Sequence, residues 1–100
     1  MKISQKHTLD KAEALRRVEK LTAFWKREYG VNVEWDGDKG RFAGDVKGIH
    51  FDAQVTVGDN EINAEGSDPG LMIRAVATTY LKKKLAEYLD PAKSLDALEG

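Results

Sequence analysis

Apolar and polar positions change their period along this chain, and each change marks a new element. Residues 2 to 7 alternate: Ile3, Gln5 and His7 fall on one side, Lys2, Ser4 and Lys6 on the other, which predicts a short edge strand. From about Leu9 to Tyr29 the spacing becomes helical. Ala14, Leu15, Val18, Leu21, Thr22, Trp25 and Tyr29 form one stripe, and Asp10, Glu13, Arg16, Arg17, Lys20 and Arg27 fill the opposite side. Thr8 or Asp10 offers the N-cap oxygen, Glu13 follows Asp10 at the capping-box distance, and Gly30 supplies a left-handed residue to end the helix.

At Val31 the period switches to two. Val31, Val33 and Trp35, then Phe42, Gly44 and Val46, then Ile49, Phe51, Ala53, Val55 and Val57, then Ile62 and Ala64 make apolar faces. Turns at residues 36–40, 47–48 and 58–60 separate them. This predicts a four-stranded antiparallel meander over 31–66, apolar on one side only. Ser67-Asp68-Pro69 reads as a helix start, with a capping side chain before a proline at the first helical position. The second helix runs to about Leu89, and Pro91 stops it. The predicted fold is α+β, β-α-β-β-β-β-α, with both helices on one face of an antiparallel sheet. Residues 1–90 make the domain and 91–100 a flexible C-terminal tail. Leu15, Val18, Trp25, Val33, Phe51, Val55 and Ile73 are the expected core.

Composition narrows the chemistry. A chain of 100 residues with no cysteine is one small domain without disulfide, thiolate metal site or cysteine nucleophile. No apolar run approaches the roughly 18 residues of a transmembrane helix, and no apolar stretch follows the charged N-terminus, so a cytoplasmic location is the expectation. The net charge of −1 hides a segregation: residues 1–30 carry eight Lys/Arg against four Asp/Glu, and residues 31–68 carry three against nine. The fold therefore predicts a positive helical layer over a negative sheet. Such a balance disfavours specific nucleic-acid binding, which calls for a basic domain. Neither GxGxxG nor GxxxxGK[ST] occurs.

Few side chains suggest catalysis. His50 and Asp52 share the wet face of the longest strand, the minimum geometry for a general base and its orienter, and His7 stands near Asp10. Solvated strand residues account for His50 and Asp52 more simply. Glu34, Asp45, Asp52 and Glu65 could gather a cation, but acidic residues commonly keep a one-sided sheet soluble and their spacing fits no calcium loop. No cofactor or metal is expected. The stronger anomaly is apolar: Phe24 lies off the first helix's stripe, and Leu71, Met72, Ile73, Ala75, Val76 and Ala77 are interrupted only by Arg74. A helix on a sheet needs one buried face. The excess must meet the other helix, a second copy in a homodimer, or an apolar surface elsewhere. Phe24, Leu71, Met72 and Ala75, flanked by Arg74 and Lys82, are the candidate binding residues.

Three segments are distinctive together: HTLDKAEALRRVEKLTAFWKREYG, FAGDVKGIHFDAQVTVGDNEINAE and PGLMIRAVATTYLKKKLAEYLD. With the short strand before them, they resemble the polyhydroxyalkanoic acid system proteins over roughly residues 2–90. The shared features are His7-Thr8-Leu9, the hydrophobic-Gly-hydrophobic hairpins and the leucine-bearing start of the last helix. What the resemblance implies is a non-enzymatic accessory of polyhydroxyalkanoate storage granules, meeting the granule surface or a coat protein, and no catalytic residue comes with it. The alternative is a helix-grip-like acyl or lipid carrier whose cavity Trp25, Trp35, Phe42, Phe51 and Tyr80 would line.

Overall fold

The computed structural model describes residues 1–46, 48–67 and 70–98, with the side chains of residues 71 and 72 outside the description. It has strand β1 (Lys2–Lys6), helix α1 (Lys11–Tyr29), strands β2 (Asn32–Asp36), β3 (Lys39–Val46), β4 (Ile49–Val57) and β5 (Glu61–Gly66), helix α2 (Leu71–Tyr88) and a 3₁₀ turn at Leu95–Ala97. The five strands form one antiparallel sheet in the order β1-β5-β4-β3-β2. The α+β reading and its element order hold. A meander pairs each strand with the next, so β2 and β5 end up at opposite sides, and β1 completes the sheet beside β5. Something must carry the chain from β1 to β2 across the whole sheet. The 19 residues of α1 span about 28 Å, against about 19 Å for four strand spacings.

Local chemistry sets the limits of α1. The Glu13 N–H donates to Asp10 Oδ1 at 2.8 Å, and Gly30, at φ 71°, donates to the Lys26 carbonyl at 3.0 Å. Gly70 takes the N-cap of α2 at φ 107°. Asp68 and Pro69, where the sequence suggested that helix would start, lie outside the described residues.

Register builds the apolar face in rows. Trp35, Gly40, Val55, Ala64 and Ile3 lie side by side across all five strands, and Val57 pairs with Ile62 in another row. Gly40 makes room for its neighbour: a Cβ there would stand 2.9 Å from three Trp35 ring carbons. Gly66 is tighter still. A Cβ would approach Ala53 Cβ at 2.7 Å and the Asp52 carbonyl oxygen at 2.8 Å, while the Gly66 backbone is held on both sides of its peptide by Met1. Because backbone cannot step aside as a side-chain tip can, Gly66→Ala is expected to cost about 1–3 kcal/mol, measured by urea unfolding.

The core sits toward one end of the molecule. Ala14, Val18, Leu21 and Trp25 of α1, Val55, Val57 and Ile62 of the sheet, and Leu85 and Tyr88 of α2 are buried. Of the expected core, Val18, Trp25 and Val55 belong to it, whereas Leu15, Val33, Phe51 and Ile73 are only half-buried. Two corrections share one cause. Arg17, expected on the solvent side, is only 5% exposed, and the tail of residues 91–100, expected to fray, is held to the core through Leu95 and Leu98, with residues 99 and 100 outside the described residues. Leu98 is buried, Leu95 packs on the core, and the side chains of Arg17 and Lys20 hold the carbonyls of this segment.

Candidate functional site

Helices α1 and α2 run antiparallel, with Arg17 beside Tyr88 at one end and Trp25 beside Tyr80 further along. Tyr29, in the last turn of α1, and Val76, one turn before Tyr80, therefore emerge at the same end. They are the two exposed large apolar side chains among the described residues, at 41% and 69%. Neither stood among the candidate binding residues: Tyr29 fits the stripe of the first helix, and Val76 was counted only within the apolar surplus of residues 71–77. The missed signal for Tyr29 is positional: a stripe residue in a helix's terminal turn projects beyond what its partner covers.

Below this pair the aromatics satisfy one another. Trp25 Nε1–H donates to the Tyr80 hydroxyl at 3.3 Å and its ring meets Phe42 at 5.2 Å between centroids. Burial raises the Tyr80 phenol above its ordinary pKa, with the hydrogen bond from Trp25 opposing that shift and the one with Tyr29 adding to it. Trp35 Nε1–H donates to Thr22 Oγ1 at 3.2 Å. Of the residues suggested as the lining of an acyl cavity, Trp25, Trp35, Phe42 and Tyr80 pack in or against the core, and Phe51 is half-buried.

The sequence candidates are distributed unevenly. Ala75 and Lys82 are exposed, Arg74 is half-buried, and the side chains of Leu71 and Met72 lie outside the described residues. Phe24 is half-buried, with the Arg27 guanidinium 5.7 Å and the Lys84 ammonium 5.6 Å from its ring centroid and Tyr29 at 6.3 Å. It links α1 to α2 through cations of its own chain. The structure thus brings Ala75 and Lys82 to the surface near Val76 and draws Phe24 into the helix pair.

On the opposite, polar face the ionisable residues form separate pairs. His50 Nδ1 lies 3.1 Å from Asp45 Oδ1 across the β3–β4 hairpin, while Asp52 receives Arg41 at 3.1 Å. The discounted His50–Asp52 dyad does not form, in line with the reading of both as solvated strand residues, because directly opposed residues come closer than i, i+2 neighbours along a strand. Among the described residues no group of three or more His, Asp or Glu side chains is placed to hold a metal. An open depression of about 410 Å³ is lined by Ser4, Gln54, Thr56 and Asn63 together with Ile3 and Ala64, among others.

A protein family described as "Putative polyhydroxyalkanoic acid system protein" matches residues 1–92. The chain belongs to this family. No curated protein and no solved structure matches it. Several residues that carry the polyhydroxyalkanoic acid system resemblance have structural work here. His7 is buried and donates from Nε2 to the Gly58 carbonyl at 3.0 Å, Leu9 packs on the core, and Gly44 lets the Val31 backbone approach its strand. Among the described residues no helix is long and apolar enough to cross a membrane.

Proposed function

We propose that this chain is a non-enzymatic accessory of polyhydroxyalkanoate storage granules. It associates with the granule surface through the outward side of its helix pair. Tyr29 and Val76 carry this reading: two large apolar side chains lie exposed at one end of the helical layer, next to exposed Ala75 and Lys82. Family membership supplies the polymer system, and surplus apolar surface on a charged small domain supplies a means of adhering to a polyester boundary. The acyl-carrier alternative lacks such support, since Trp25, Trp35, Phe42 and Tyr80 are engaged with one another or with Thr22.

The test is sedimentation of granules from polymer-accumulating cells that express either the parent or Ala75→Gln/Val76→Gln. Exposed substitutions change stability by less than about 0.5 kcal/mol each, so the variant is expected to unfold at nearly the parent's temperature. Its granule-bound fraction should fall several-fold. A parent that stays in the supernatant, or a folded variant that sediments like the parent, would overturn the proposal.

A further inference from the structure

We infer that the outer side of the helical layer recognises an anionic lipid film, so that the surface bound is an amphiphile layer rather than bare polyester. This rests on the same face as the granule reading and specifies its chemistry. Ala75, Val76, Thr79, Lys82, Lys83 and Ala86 are all exposed, and their spacing of three and four residues places them in one stripe of α2. The stripe is apolar at its N-terminal end and cationic further on, with no acidic member. Exposed Lys26 follows Trp25, which pairs with Tyr80, so on the antiparallel α1 it stands between the level of Lys82 and Lys83 and the end where Tyr29 and Val76 emerge.

Charge complementarity selects the occupant. Without the buried Arg17, helices α1 and α2 carry nine Lys/Arg against four Asp/Glu, whereas residues 32–66 carry three against eight. A negatively charged film therefore attracts the helical side and repels the sheet side, which fixes orientation before any apolar contact forms. Cations flanking exposed apolar residues on a helix suit a headgroup boundary, where lysine stems lie along the acyl region and their ammonium groups reach out to phosphate. A nucleic acid would use the cations but not Val76. A neutral polyester would use Val76 but not the cations.

The experiment uses the full chain in co-sedimentation with vesicles of phosphatidylcholine alone and of phosphatidylcholine with phosphatidylglycerol, beside protein-free polyhydroxybutyrate particles and a duplex DNA. Binding to the anionic vesicles is expected to exceed binding to the neutral ones at least tenfold and to weaken with salt. Lys82→Gln/Lys83→Gln should lower it about 30-fold, at about 1 kcal/mol for each lysine near an anionic surface, and Lys82→Arg/Lys83→Arg should restore it. Val76→Gln should lower vesicle binding and leave any DNA binding unchanged. Equal binding to both vesicle types, or DNA binding stronger than anionic-vesicle binding, would overturn the inference. Adhesion to the polymer particles without preference for anionic vesicles would sink the lipid assignment while leaving the granule reading standing. Anionic-vesicle binding by a protein absent from cellular granules would do the reverse. Thermal unfolding of each variant separates loss of binding from loss of fold.

Discussion

Arg17→Met is expected to remove about 3 kcal/mol of folding stability, since hydrogen bonds from a charged donor contribute about 1.5–3 kcal/mol each and some of these acceptors keep access to water. The guanidinium donates from Nη1 to the carbonyls of Tyr88 at 3.1 Å and Asp90 at 2.8 Å, and from Nη2 to that of Lys93 at 2.6 Å. These are carbonyls at and just past the end of α2, where a helix runs out of its own donors. A positive charge there also opposes the negative pole of the helix. Methionine keeps most of the volume and loses every donor. Arg17→Lys keeps the charge but lacks the planar fork that serves several carbonyls at once, so its cost should fall between parent and methionine. Equilibrium urea unfolding measures both. A methionine variant within about 0.5 kcal/mol of the parent would mean that Leu95 and Leu98 hold the segment unaided.

That fork also explains why the C-terminal segment could not be read from sequence. Arg17 sits at a helical position that periodicity assigns to solvent, and its carbonyl acceptors lie more than seventy residues away. Backbone carbonyls carry no sequence signal, so an arginine serving them looks like a solvated one. Leu95 and Leu98, three apart after the proline, were the available hint: that spacing places two leucines on one side of a single turn. Proline ended the helix as expected without ending the ordered chain.

The sheet was far more legible. Strict alternation assigns each side chain to a face, and a one-residue slip would have put Val55 and Val57 in water, so pattern and register constrain each other. Pairing within the wet face was less so. His50 has Asp52 two residues along and Asp45 directly across, and only the register of β3 against β4 decides that Asp45 comes opposite. The apolar surplus of residues 71–77 was visible as an excess and its exposed Ala75 was named, but its large exposed member, Val76, was not. Among the described side chains, the buried residues of α2 are Leu85 and Tyr88 near its C-terminal end. The first half of the helix therefore lies beyond the densest packing, which leaves Val76 outside and Ile73 half-covered.

The phase of α1 is open to a direct comparison of Leu21→Ala with Leu15→Ala. Periodicity places both leucines in one stripe, but in the folded chain Leu21 is fully buried and Leu15 only partly. Cutting back a fully enclosed leucine loses its transfer free energy and leaves a cavity that close-packed neighbours cannot collapse into, a cost of about 2–5 kcal/mol. Around Leu21 those neighbours include Val18 and Trp25 on its own buried face. Truncating Leu15 opens toward water, which fills the space, so the cavity component largely disappears and about 1–2 kcal/mol remains. For a domain of this size each kcal/mol moves the melting temperature by about 4–8 °C, which makes the difference between the two variants readily measurable. Equal losses would mean that α1 is turned toward Leu15. Arg17, two positions on and nearer the opposite side of the helix, would then swing away from the carbonyls it holds, so the same comparison also checks the anchorage of the C-terminal segment.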